Sequence, residues 1–219
     1  MDLVFHDRRE AGRILAFHLR DYTGREDVIV LGLARGGVPV AFEVARQIGV
    51  PLDVFVVRKL GVAGHEELAM GAIASGGVRV LNPSVMRSLH EPERALAAST
   101  LEQTRELARR EAEYRAGRAP LALRGQTAIL VDDGLATGAS MRAAVAALRQ
   151  LGVARIVVAV PVAAPEICEE FKEEVDEFLC ASTPAHFHSV GEFYRDFSQT
   201  TDEEVRELLA RAEAEFKGK

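Results

Sequence analysis

The sequence predicts an α/β protein built on a doubly wound parallel sheet of about five strands. Three observations carry that expectation. β-branched, nearly unbroken apolar runs recur along the chain, helical patterns that stop at glycine lie between them, and the connections are short. A strand buried on both faces needs no polar alternation. A parallel neighbour needs a crossover, most simply a helix.

VIVLGLA (28–34) reads as the first strand. VPVAFEVARQIG (38–49) then places Val38, Phe42, Ala45 and Ile48 on or near one helix face and stops at Gly49. LDVFVV (52–57) is the second strand; LAMGAIA (68–74) and GGVRVL (76–81) read as a hairpin or two short strands. Residues 92–118 are charged and helix-forming, with apolar positions too sparse for a buried core helix, so a solvent-facing helical insertion is expected. TAILVD (127–132), GASMRAAVAALRQLG (138–152) and RIVVAVPV (155–162) repeat the strand–helix–strand design, and DEFLCA (176–181) is a weaker fifth strand. TDEEVRELLARAEAEF (201–216) opens on Thr201 or Asp202 as N-cap and reads as an amphipathic helix. No repeat, low-complexity tract or composition break divides the chain, so residues 1–219 are expected to form one domain with a core at about 27–181.

Bulk properties bound the function. With 219 residues, 48% of them hydrophobic and 27% charged, the chain can bury a sizeable core. Its 27 basic and 33 acidic residues give a net charge of −6, which argues against a dedicated nucleic-acid or anionic-membrane binder. Cys168 and Cys180 have neither metal-type spacing nor a disulfide framework. MDLVFHDRREAGR carries charges where a signal peptide needs an apolar run, and no apolar stretch approaches the ~20 residues of a membrane span. A cytoplasmic protein without a membrane partner is the expectation.

The stretch ILVDDGLATGAS (129–140) sets an electrostatic problem. A turn of small residues entering a helix suits a phosphate, because backbone N–H groups converge there with the positive helix end. Asp132 and Asp133 beside it should repel that anion. A ligand with both a phosphate and a sugar diol removes the conflict. Ala136, Thr137, Gly138, Ala139 and Ser140 would take the phosphate, while Asp132 and Asp133 would accept hydrogen bonds from the hydroxyls. The two carboxylates also offer sites for a hydrated Mg²⁺. A Walker A loop is excluded because GLATGAS has no lysine, and GLARGG (32–37) has its glycines misplaced for G-x-G-x-x-G.

The acidic pair followed by GLATGAS resembles the phosphoribosyl-pyrophosphate (PRPP) signature of the type I phosphoribosyltransferases. FHDRREAGRILAFHL (5–19), LARGGVPVAFEVA, VRKLGV…ELAMGAIA and the acidic-pair loop together resemble a poorly characterised phosphoribosyltransferase-like branch, over most of the chain. The resemblance implies a pyrophosphate turn at Ala34, Arg35, Gly36 and Gly37, with a cis peptide between Ala34 and Arg35. It implies a basic pair, Arg58 and Lys59, opening a mobile loop at about 60–69 that covers the reacting centre and carries His65. It also implies a hood that binds the acceptor, for which residues 1–26 and 182–219 are the candidates. The implied activity is transfer of a 5-phosphoribosyl group from PRPP to a nitrogenous base or other amine, with pyrophosphate released, Mg²⁺ as cofactor and a homodimer as the working unit. Ala136 stands where 6-oxopurine enzymes carry an Asp base, which disfavours hypoxanthine or guanine by that route. A regulator that binds PRPP or a nucleotide without turnover is the alternative. HFH (186–188) reads as a loop or strand end, Phe193, Tyr194 and Phe197 as packing residues, and Cys180 as a core residue.

Overall fold

The computed structural model describes residues 3–62, 65–118 and 121–217. Helix α1 (Arg8–His18) starts at Asp7, whose side chain caps the Glu10 amide at 2.8 Å. Strand β1 (Val28–Leu33) leads to helix α2 (Gly37–Ile48), which ends at Gly49, and then to strand β2 (Leu52–Phe55). Strands β3 (Val57–Val62), β4 (His65–Ala74) and β5 (Val78–Leu81) are followed by helices α3 (Pro83–Ser88) and α4 (Pro92–Tyr114). The second half runs β6 (Thr127–Val131), α5 (Ala139–Gln150), β7 (Arg155–Val162), α6 (Pro165–Glu174) and β8 (Glu177–Ser182). A 3-10 turn at Val190–Phe193 and helix α7 (Asp202–Lys217) follow.

Five strands form the expected parallel sheet in the order β2-β1-β6-β7-β8. Alternation along each strand divides the core between two helical layers. Val30, Val131 and Val157 face α1, α2 and α7, whereas Leu31, Leu130 and Val158 face α5 and α6. Strand order reverses between β1 and β6, so a crevice opens beyond their carboxyl ends, where ligands of such sheets sit.

The second apolar run does not remain one strand. Val56 separates β2 from β3, and the buried Ser75 holds both of its backbone groups: Val56 N donates to Ser75 Oγ at 3.0 Å, and Ser75 N donates to Val56 O at 2.9 Å. Beyond that break β3, β4 and β5 form a separate antiparallel sheet, which realises the hairpin reading of 68–81. The expected loop at 60–69 is corrected by the same sheet. Leu60–Val62 and His65–Ala69 are strand, and residues 63–64 and the His65 side chain lie outside the described residues. Gly61 marks a register shift in this ladder, a common strand role for glycine.

Helix α4 docks as well as facing solvent. Leu107 and Tyr114, both buried, seat it across β3 and β4 and against α7. Its C-terminal end is tied to β2 by the buried Asp53, which accepts from Arg115 at 3.2 and 3.1 Å and faces Arg118 at 3.3 Å. Asp53→Asn removes the charge both guanidiniums share. We expect it to lower unfolding stability by about 1–3 kcal/mol in a urea titration, with the parallel sheet intact by circular dichroism.

The terminal segments have two destinations. Helices α1 and α7 cover the sheet by packing on α2, while Phe5 bridges Tyr194 beside the end of β6. Among the described residues, no helix is long and apolar enough to cross a membrane.

Candidate active site

The sheet brings two turns together because β1 and β6 are neighbours in register, Gly32 opposite Val131. After β1 the Ala34–Arg35 peptide is cis, as the resemblance implied. Gly36 has φ −58, so the αL region is not what requires glycine there. Space is. A Cβ on Gly36 would lie 2.1 Å from Asp133 Oδ2, and one on Gly37 would lie 2.5 Å from Val131 O and 2.9 Å from Asp132 Cα. The glycine turn therefore rests directly on the acidic pair.

Both acids are half-buried. Burial, then the neighbouring Asp133 charge, pushes the Asp132 carboxyl well above the usual carboxylate range, and Asp132 Oδ1 accepts from the Asp133 amide at 2.9 Å. Burial also raises Asp133, opposed by the Arg8 guanidinium, whose Nε donates to Asp133 Oδ2 at 2.8 Å. Arg8 further donates to Ser198 O at 2.7 Å and lies 4.0 Å over the Phe197 ring. Tyr194 donates its hydroxyl to Asp133 O at 2.6 Å. Two half-buried carboxylates thus stand together, and the guanidinium bonds one of them, Asp133. Among the described residues, no group of three or more His, Cys, Asp or Glu is arranged for a metal. One or two carboxylates plus ligand phosphates is nonetheless the donor set that a hydrated Mg²⁺ takes, so the residues present fit that ion.

The third part is the turn after the acids. Gly138, at φ +69, enters α5 without a side-chain cap, and Phe171 packs so closely that a Cβ on Gly138 would stand 2.5 Å from its ring. Asp132, Ala136, Thr137, Gly138, Ala139 and Ser140 line a cavity of about 180 Å³ that Val190 borders. Amides of the first helical turn and small side chains suit this cavity, called the cradle below, to an anion. Thr137 spends part of its capacity locally, accepting from the Ala139 amide at 3.4 Å.

The basic residues are more dispersed. Arg35 faces Asp202 at 3.6 Å, and Asp202 is held by the Tyr114 hydroxyl. Arg58 donates to Gln103 at 2.9 Å and borders a cavity of about 500 Å³ along α4. Lys59 instead borders a cavity of about 400 Å³ between the antiparallel sheet and α5, where it meets Ala139. Adjacent residues of a strand point to opposite faces. Arg58 and Lys59, expected as a pair, therefore border different cavities.

A model of the phosphoribosyl transferase domain matches residues 6–197. The chain belongs to this family. Two relatives, proteins of Mycobacterium tuberculosis strains CDC 1551 / Oshkosh and H37Rv with provisional phosphoribosyl transferase names, are each 49% identical over 213 residues. The alignment covers 97% of this chain and 48% of each relative, so the chain spans about half the length of the curated relatives it matches. The crystal structure of TT1426 from Thermus thermophilus is 45% identical, with a TM-score of 0.84 over 95% of this chain and 99% of that one.

Within this phosphoribosyl transferase domain, the acidic pair, the glycine turn and the cradle converge at one end of the sheet. Arg8, Tyr194 and Phe197 were missed as site residues. Arg8 left one faint trace, since it stands in the first turn of a helix where the helix dipole disfavours a cation. Nothing in the sequence pairs it with an acid 125 positions away.

Proposed function

We propose that the protein transfers a 5-phosphoribosyl group from PRPP to a nitrogen acceptor and releases pyrophosphate. The observation that carries this reading is the seating of the Gly36–Gly37 turn on Asp132 and Asp133, with the anion cradle beyond them. Diphosphate turn, acids and phosphate cradle follow one another as diphosphate, sugar hydroxyls and 5-phosphate do in PRPP.

In the reaction the C1′–oxygen bond breaks, its electron pair leaves with pyrophosphate, and the acceptor nitrogen supplies the pair that forms the new bond. Asp132 and Asp133 accept hydrogen bonds from the ribose hydroxyls, each worth about 1.5–3 kcal/mol, and their charge favours the cationic sugar. Arg35 and the amides at 36–37 hold the departing diphosphate. Thr137, Ser140 and the first amides of α5 anchor the 5-phosphate and so fix C1′. Most of the acceleration is electrostatic preorganisation, which requires no protein nucleophile. Asp132 and Asp133 would hold Mg²⁺, which supplies positive charge that offsets the phosphates.

Pyrophosphate release from PRPP across a panel of bases and amines, with Mg²⁺ present, tests the reading. Release with at least one acceptor is expected, with hypoxanthine and guanine poor because Ala136 offers no base. The Arg58–Gln103 bond, which turns that cation toward α4, favours a second reading: a PRPP- or nucleotide-binding regulator without turnover. Tight PRPP binding with silence toward every acceptor would select it.

A further inference from the structure

The transfer reading leaves Arg8 unused, although its side chain is only 11% exposed and Asp133's only 15%. Arg8 is fixed from three sides, by Asp133, by Ser198 O and by the Phe197 ring, and Tyr194 fixes the Asp133 backbone. The acids also face different stations. Asp132 lines the 5-phosphate cradle, whereas Asp133 Oδ2 lies under Gly36, at the turn read as the diphosphate site. A diphosphate there would meet a half-buried carboxylate within a few ångströms, where an uncompensated charge is felt more strongly than in bulk water. Arg8 cancels that charge from behind.

We propose that Arg8 is a positioning residue: by holding Asp133 charge-compensated against Gly36, it sets the preference for ribose 5-phosphates that also carry a C1 diphosphate. The inference rests on the transfer reading and deepens it. Arg8 touches neither reacting atom; it acts through Asp133.

Calorimetric titration of PRPP and of ribose 5-phosphate, at one fixed Mg²⁺ concentration, tests it through the ratio of the two affinities. Arg8→Gln keeps a donor and loses the charge. It is expected to weaken PRPP about 10-fold or more and ribose 5-phosphate less than about 3-fold, the pattern of one uncompensated charge near one subsite. Arg8→Lys, which keeps the charge, should restore the ratio to within about 3-fold of wild type. In the double variant Arg8→Gln/Asp133→Asn, which buries no unpaired charge and so guards against misfolding of the single variant, the ratio should match that of Asp133→Asn alone. Equal weakening of both ligands, an unchanged ratio, or additive effects in the double variant would each overturn the assignment. Wild-type protein that binds neither ligand would bring down the transfer reading with it. Wild-type binding with an unaltered ratio would remove only Arg8's role.

Discussion

Asp132→Asn is expected to raise the melting temperature of the ligand-free protein at pH 7 while weakening PRPP about 10- to 100-fold, the loss of one charge-assisted hydrogen bond. The two effects have one origin. Burial and the charge of Asp133 lift the folded-state pKa of Asp132 above its usual 3.8. Between that value and the folded pKa, the native protein keeps a proton that the unfolded chain has released. Stability therefore falls as pH rises through this window, and the penalty is complete above it. Asparagine has no charge to desolvate, so the variant lacks that decline. A structural acid would behave in the opposite way, because its removal would lower stability. Thermal melts between pH 4 and 8, with a parallel PRPP titration, read both signs. A lower melting temperature at pH 7 would show that Asp132 holds the fold together and would remove the case for a strained ligand-binding carboxylate. Protein groups that await a cationic or hydroxyl partner are commonly held at such a cost to stability.

What the sequence disclosed follows the range of each interaction. The parallel strands were legible because burial on both faces leaves unbroken runs such as ILV before Asp132. The turns at 34–37 and 136–140 were legible as turns because small residues at strand ends are local signals. The division of 52–57 at Val56 was not, since it depends on Ser75, 19 positions away, capturing both backbone groups. Helix α4 was expected at 92–118 and ends at Tyr114, and its docking was hidden. Leu107 and Tyr114 recur at a heptad interval, a stripe too narrow to distinguish from a solvated helix. Arg58 and Lys59 looked like a pair in one dimension, and the strand pleat separated them. Arg8 was the least visible of all, because its significance exists only once α1 lies beside the end of β6.

Gly37→Ala is expected to destabilise the fold by about 1–3 kcal/mol, the usual cost of an added methyl group in a closed space. PRPP affinity should fall by about 10- to 100-fold, as for the loss of one charge-assisted hydrogen bond from the displaced acids. Helix propensity alone predicts the reverse sign. Gly37 is the first residue of α2, and alanine is favoured over glycine in a helix interior by about 0.8–1.0 kcal/mol. Sterics decide the outcome. The new Cβ would stand 2.5 Å from Val131 O and 2.9 Å from Asp132 Cα, both backbone atoms at the end of the central strand, which no rotamer change can clear. Relief requires the ends of β1 and β6 to separate, and that displaces Asp132 and Asp133 from the turn they support. Gly77→Ala is the control. Its φ of +74 disfavours a side chain, but nothing lies within 4 Å of its Cβ, so it should cost about 1 kcal/mol in stability and leave PRPP affinity unchanged. Urea unfolding and calorimetry on the two variants separate contact from conformation. If Gly37→Ala gained stability and bound PRPP like wild type, the glycine would be serving helix geometry alone, and the close seating of the two turns would have no bearing on the ligand.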